Sequence, residues 1–341
     1  MFMALEGNHT LGRNESRPAR LLDYRDYCKL HIISHFVSVL AGARAAGRPF
    51  HVLPIGNVGA DVAGDRLRAE MAAAGMDMRF VSRVPDKSTL FSVCFLYPDG
   101  SGGNITTSDA APASLTAGDI GRAEPVLRKY GRRAIALAAP EVPLSLRRHL
   151  LELSTQAGAF RVASFTPGEI GEAMASGMLR VADLVSLNED EAVAIAGVPY
   201  GAKSRQRLLD RCALALRRQN RRVRIIVTAG ADGAFGFDGT TWAHCPAAEV
   251  EVVSTAGAGD ALLGAVLACL SAGVPLIARG SSGRRLSGRS ITSALEFGVI
   301  VAGMSVASPH TIPPNVSGRT VGAFAAERGI RFAGRLGRIF A

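Results

Sequence analysis

Ser254-Thr255-Ala256-Gly257-Ala258-Gly259-Asp260 lies between a run that reads as a strand, Glu249 to Val253, and a long uncharged run that reads as a helix, Ala261 to Leu270. Small residues leave the backbone N–H groups of this stretch bare, and Gly257 and Gly259 permit close approach and positive φ. The helix that follows aims its positive end at the same turn, so the stretch is suited to an anion. Asp260, in the first helical turn, is by default a cap or a partner for the helix macrodipole. Beside an anion cradle it is also what phosphoryl transfer to an alcohol requires: the cradle holds a phosphate and the carboxylate takes the alcohol's proton.

Upstream, Val223 to Val227 reads as a buried strand, followed by the turn Thr228-Ala229-Gly230-Ala231-Asp232-Gly233 and a hairpin over Phe235 to Trp242. Before it, strand-like runs (Ala134 to Ala138, Phe160 to Phe165, Leu184 to Leu187) alternate with helix-like runs (Leu144 to Gln156, Glu169 to Arg180). Strands separated by helices of this length imply right-handed βαβ crossovers and a mostly parallel sheet covered on both faces. Ligands on such sheets collect at the carboxyl ends of the strands. Asn188-Glu189-Asp190-Glu191 falls at one of these ends. By itself it is a good N-cap with an acidic first turn.

Towards the N-terminus, His51 to Ile55 reads as a short apolar strand, and Gly56-Asn57-Val58-Gly59-Ala60-Asp61-Val62-Ala63-Gly64 as a glycine-rich turn in which Asp61 caps a helix running through Ala74. Arg79 to Leu96 alternates loosely, Tyr97-Pro98-Asp99-Gly100 reads as a hairpin turn, and Asn104 to Ala111 as the return strand. Residues 1 to 29 show no period. Beyond the apolar helix, Arg279 to Arg289 is basic and rich in glycine and serine, Ile291 to Val306 reads as a helix stopped by the prolines at 309, 313 and 314, and the tail from Arg319 is basic and weakly amphipathic.

A chain of 341 residues, 48% hydrophobic, can bury a sizeable core. The 39 Lys+Arg against 29 Asp+Glu give +10, but the arginines are scattered through helix-like segments without the interleaved aromatics that stack on bases, so nucleic acid is not the expected partner. The five cysteines form no Cys-x-x-Cys pair and have no histidine at ligand spacing, which points to reduced thiols in a cytoplasm. Met1 to Arg20 lacks an apolar core of signal-peptide length, and Ala261 to Ala278, interrupted by Ser271, Gly273 and Pro275, reads as a core helix and its exit turn, so no membrane is expected.

Residues 252 to 264, Val-Val-Ser-Thr-Ala-Gly-Ala-Gly-Asp-Ala-Leu-Leu-Gly, resemble the C-terminal signature of the ribokinase-like (PfkB) carbohydrate and nucleoside kinases. The Gly-x-x-Gly-x-Asp-x-x-Gly of residues 56 to 64, the Asn-x-x-Glu of 188 to 191 and the Thr-x-Gly-x-x-Gly of 228 to 233 are similar to further motifs of that family. The resemblance covers about residues 30 to 315. It implies an α/β fold, a three-layer α/β/α sandwich with a mostly parallel central sheet and a small β lid at 79–111, the whole of 1–341 forming one domain and 279–290 a flexible basic insertion. It implies ATP and Mg2+, with Asp260 as general base, the backbone of Ala256, Gly257, Ala258 and Gly259 as anion hole, Asn188, Thr228, Gly230 and Gly233 along the nucleotide, and Glu191 ordering magnesium. Asp61 and Ser38 fall on the side of the acceptor, a sugar or nucleoside. Lid strands pair in some members, which makes a homodimer one expectation.

This chain departs from the family at Ser254, where an acidic residue or Asn is usual close to the monovalent-cation site of some members. It departs again at Ile33 and Ser34, in place of two glycines, and at Ser38, in place of an Asn. The opening strand with its substrate-contacting Asp has no counterpart. A second reading is therefore a catalytically silent relative that binds a nucleotide or metabolite. A dinucleotide oxidoreductase is not supported, because no Gly-x-Gly-x-x-Gly follows an early strand.

Overall fold

The computed structural model describes residues 1–23, 27–44, 50–99, 102–198, 205–278 and 285–340. In chain order, strands β1 (Phe2–Leu5) and β2 (Ala19–Asp23) precede helix α1 (Lys29–Ala41), and β3 (Gly56–Gly59), α2 (Val62–Ala73) and β4 (Val81–Val84) follow. Next come β5 (Ser92–Leu96), β6 (Gly102–Thr106), α3 (Glu124–Tyr130), β7 (Ile135–Ala138), α4 (Leu144–Ala157) and β8 (Phe160–Ser164). The C-terminal half adds β9 (Leu184–Asn188), α5 (Glu189–Ala196), α6 (Arg205–Gln219), β10 (Arg224–Thr228), β11 (Ala234–Phe237), β12 (Trp242–Cys245), α7 (Ala258–Ser271) and α8 (Ala294–Val306).

The main sheet has the order β12-β11-β10-β9-β8-β7. Its strands β7 to β10 run parallel, and β11 and β12 continue as an antiparallel hairpin. Leu184, Val185, Ile225 and Ile226 are completely buried, as parallel strands covered on both faces must be. On one face lie α1, α7 and α8, whose Ile33, Phe36, Leu262, Phe297 and Ile300 form one core. On the other lie α4, α5 and α6, contributing Leu151, Ile195, Leu209 and Leu216 to a second. The result is a three-layer α/β/α sandwich. Helix α7 is buried on every side from Ala261 to Cys269, the state expected of a helix apolar all round. Its Gly264 lets α1 cross closely, since a Cβ there would stand 2.7 Å from the Ile33 carbonyl oxygen.

Several local expectations are corrected. The stretch 1–29 does contain strands: β1 pairs with β2 and, across 91 residues, with β5 in a second sheet of order β2-β1-β5-β6. No local pattern foretold this, because the partner of β1 is remote. His51 to Ile55 lies in no sheet, its Val52 carbonyl accepting the Asp77 N–H at 2.9 Å, and the strand begins at Gly56, which pairs with Val81 in a separate two-stranded sheet. Residues 79–111 are thus divided between that pair and the four-stranded sheet. Glu249 to Val253 is not a strand either. Val252 and Val253 are exposed, and the N–H groups of Val253 and Ser254 are tied to the Val306 carbonyl at 2.8 and 3.1 Å. The helix expected over Glu169 to Arg180 is broken where Gly177 takes φ 76°. Gly100, and the part of the basic loop at 279–284, lie outside the described residues. No helix among the described residues is long and apolar enough to cross a membrane.

Candidate active site

The parallel register sets Asn188, the last residue of β9, beside Thr228, the last of β10, at the carboxyl edge of the sheet. Asn188 caps α5 in a reciprocal box: its Oδ1 accepts the Glu191 N–H at 2.8 Å, and Glu191 Oε2 accepts the Asn188 N–H at 2.8 Å. The capping role is therefore real, and it employs only one carboxylate oxygen. Glu191 Oε1 is buried and has no hydrogen-bond partner. An oxygen held in this way suits a divalent cation reached through the cation's own water, so the residues present fit magnesium. Among the described residues no cluster of three or more His, Cys, Asp and Glu side chains is disposed to hold a metal.

Across the edge, Gly257 adopts φ 75° as the N-cap of α7, and no side chain caps the helix. A Cβ at Gly257 would stand 3.2 Å from Ile32 Cδ1 and 3.4 Å from Thr311 Cβ, so both conformation and space call for glycine. The uncapped first turn of α7, fourteen residues long, leaves backbone donors for an anion. Gly259 faces Thr228, whose Oγ1 would lie 3.8 Å from a Cβ there. Asp260 follows in the first turn. Burial pushes its carboxyl up to about 6, while the Lys29 ammonium pulls the other way.

Lys29 and Glu141 were not singled out in the sequence. Lys29 opens α1; its Nζ donates to the Phe165 carbonyl at 3.3 Å and stands 4.0 Å from Glu191 Oε1, and its backbone N–H donates to Glu141 Oε1 at 3.4 Å. Glu141 follows β7 with φ 73°, a strained conformation for a non-glycine residue of the kind that gathers at sites. Its Oε2 is buried without a partner, and burial raises its carboxyl to about 7. Burial likewise raises Glu191 to about 6. Three carboxyl groups thus share one ammonium. The available signal for Glu141 was only its place after a strand, in Ala-Pro-Glu-Val-Pro.

The remaining candidates are placed as follows. The loop after β10 turns through Gly230 (φ 53°) and Gly233 (φ 86°), and a Cβ at Gly233 would lie 2.2 Å from the Cys245 carbonyl oxygen. Arg205 ties this loop to α5 by reaching Asp232 at 2.6 Å and Glu189 at 3.4 Å. Asp61 accepts from Gly64 N–H at 2.7 Å, Thr89 N–H at 2.7 Å and Thr89 Oγ1 at 2.6 Å. It both caps α2 and latches the segment leading to β5; burial opposes its ionisation, but the Thr89 bonds outweigh it and its carboxyl sits below the usual range. Ser38 is buried in α1 with an unpartnered hydroxyl, nine residues and so about 13 Å along the axis from Lys29. It is not brought into the cluster at the helix start.

Similarity to known proteins agrees with this geometry. A family model described as pfkB family carbohydrate kinase matches residues 39–317. A deoxyribokinase of Salmonella typhi is 28% identical over 215 residues, 62% of this chain and 66% of that protein; the match thus spans just under two thirds of the relative's length. Ribokinase from Thermotoga maritima superposes with a TM-score of 0.68 at 20% identity, covering 95% of this chain and 96% of that one. Arabidopsis thaliana ribokinase, solved with ribose and ATP, gives 0.67 at 19% identity, covering 95% and 94%. At these identities the structural likeness is one of fold.

Proposed function

Because the chain belongs to the pfkB family of carbohydrate kinases, we propose that it transfers the γ-phosphoryl group of ATP to a hydroxyl of a sugar or nucleoside. The observation that carries this reading is the meeting of Asp260, on the uncapped end of α7, with the Asn188–Glu191 turn and Thr228 at one sheet edge. The Thr228–Gly233 loop and Asn188 hold the nucleotide. The N–H groups of Gly257 and Gly259 face the charge that develops on the moving phosphoryl group, whereas those of Ala256 and Ala258, expected to join them, donate to Ser254 Oγ at 3.3 Å and to the Thr255 carbonyl at 3.4 Å. Asp260 accepts the acceptor's proton as the new oxygen–phosphorus bond forms and the bond to the β-phosphate oxygen breaks. Magnesium, when bound, neutralises phosphate charge, and Glu191 is the residue that orders it. Glu141, with its unpartnered oxygen, offers an acceptor for a substrate hydroxyl. The deoxyribokinase relative and the ribose-bound neighbour favour a pentose or a compound containing one.

In this reading the whole chain acts as one cytoplasmic ribokinase-like unit. The four-stranded sheet is its lid, hinged near the Asp61–Thr89 latch. The exposed Leu21 and Ile105 on that sheet offer apolar surface for closing over substrate or for pairing two copies. The catalytically silent alternative draws on Ile33, Ser34 and Ser38, which stand where the family has two glycines and an Asn. ADP release from ATP–Mg across sugars, sugar phosphates and nucleosides decides between them. Release that depends on one acceptor class supports the kinase. Thermal stabilisation by ATP with no release from any acceptor supports the silent binder.

Two outcomes test individual roles. Glu191→Gln keeps an acceptor for the Asn188 N–H while removing charge, and is expected to raise the Mg2+ needed for half-maximal activity about tenfold or more. An unchanged magnesium titration removes Glu191 from that role. With Asp260 held up to about 6, kcat/KM is expected to fall about tenfold per pH unit below that value. Lys29→Met, which removes the charge favouring the ionised form, moves this limb to higher pH; a profile flat between pH 5 and 8 contradicts the assignment of the base.

A further inference from the structure

β2 is an edge strand of the four-stranded sheet, and its Ala19, Arg20 and Leu21 are exposed. Asp23, at its end, is buried. A carboxylate taken out of water is costly unless it is paired. A partner comes from 287 positions away in the chain: His310 donates from Nδ1 to Asp23 Oδ2 at 2.6 Å. A hydrogen bond to an ionised acceptor at this distance is one of the stronger polar contacts a protein makes, and this one joins the sheet to the far end of the chain.

His310 lies in the loop after α8, and that loop underlies the glycine turn that opens α7. On the near side of the turn, the Val306 carbonyl accepts the N–H groups of Val253 and Ser254. At its pivot, Gly257 packs against buried Thr311, where a Cβ on the glycine would stand 3.4 Å from Thr311 Cβ and 3.5 Å from the Thr311 carbonyl oxygen. Between these supports the loop has little freedom. Pro309 and Pro313 fix φ on either side of His310 and Thr311, and the His310 N–H donates to Ser308 Oγ at 3.1 Å. A displacement of the imidazole is therefore passed to Thr311, and from there to the backbone of Gly257.

We propose that Asp23 and His310 are positioning residues whose bond clasps the four-stranded sheet to the loop beneath the glycine turn, so that the place of the sheet sets the place of the Gly257 and Gly259 N–H groups. Neither side chain has to touch a substrate, because both act through Thr311. The tie between sheet and turn stands on the contacts above. Its part in turnover rests on the kinase reading, in which the sheet closes over the acceptor and those N–H groups meet the developing charge. A purely structural role would satisfy a buried carboxylate and leave the turn indifferent to it.

The test uses the full chain and the variants Asp23→Ala, His310→Phe, the two together, and Asp23→Asn, which keeps the shape and an oxygen acceptor should the others fold poorly. Amide exchange at 255–260 is read first, because it needs no turnover. Each of the first two changes is expected to speed it about tenfold or more. The double change should go no further than the larger single effect, since losing either partner already opens the clasp, and Asp23→Asn should do less than Asp23→Ala. In ADP release from ATP–Mg, kcat is expected to fall about tenfold with KM for ATP within about threefold of wild type, the pattern of an interaction made in the transition state. Exchange quickened only at 2–5 and 19–23 confines the bond to the sheet edge and overturns the proposal, as do single effects that multiply in the double variant. Faster exchange at 255–260 with kcat within about twofold of wild type retains the tie and overturns its part in turnover. Absence of ADP release from the wild type with every acceptor overturns the kinase reading instead, and the exchange data then decide the tie by themselves.

Discussion

Asp260→Asn is expected to lower turnover by about 10²-fold or more, the low end of what a positioned general base contributes, while the protein stays folded. The stability of the variant should move the opposite way. In the native chain burial lifts the Asp260 carboxyl from its ordinary 3.8 to about 6, so the folded state binds this proton more tightly than the unfolded state. Stability from this group is then fully present below the unfolded value and is lost as pH rises through the folded one. At pH 8 the wild type carries the ionised, partly desolvated group and Asn does not. Asp260→Asn should therefore be more stable at pH 8, by up to about 3 kcal/mol, with the gain vanishing below pH 4. Thermal melts at the two pH values beside ADP release check both halves. A loss of less than threefold in turnover with folding intact removes Asp260 from the base role, and a variant less stable at pH 8 contradicts the burial argument.

Gly264→Ala is expected to destabilise the protein although alanine favours a helix. In an open helical position the exchange gains about 1 kcal/mol. At Gly264 the new Cβ would stand 2.7 Å from both the Ile33 carbonyl oxygen and Phe36 Cβ, and overpacking of a closed core costs about 1–3 kcal/mol. The steric effect wins, more so for valine. Because the contact is with α1, the helix is pushed from α7 and Lys29 is drawn from its place beside Phe165 and Glu191. Gly264→Val should thus lower Tm by several degrees and turnover by about tenfold or more. Gly171→Ala, in the helix Ile170–Ala175 with nothing within 4 Å of the added carbon, is the control and should be neutral or stabilising. Equal effects at the two glycines would refute the close crossing.

The alternation from Ala134 to Val227 was legible because buried parallel strands and their covering helices each carry a local pattern. The capping box at Asn188 and Glu191 was legible for a similar reason, since its two hydrogen bonds span three residues. Failures occurred where local pattern and pairing part company. His51 to Ile55 has the composition of a strand and lies in no sheet among the described residues, and Glu249 to Val253 alternates yet leaves Val252 and Val253 in solvent. β1 and β2 form in a stretch without any period, because Met1 and Phe2 find β5 about ninety positions away.

The sequence by itself determined the three-layer α/β architecture, the glycine turn that opens the buried helix with Asp260 behind it, and the carboxyl-edge positions of Asn188 and Thr228. Each depends on interactions within a few residues or on a period repeated along one element. Tertiary structure alone decided that Lys29 and Glu141 join Asp260 and Glu191 and that Asp61 is held by Thr89. Both outcomes depend on burial and charge shared among segments distant in the chain, where the field at one carboxylate is set by groups that no local pattern brings together.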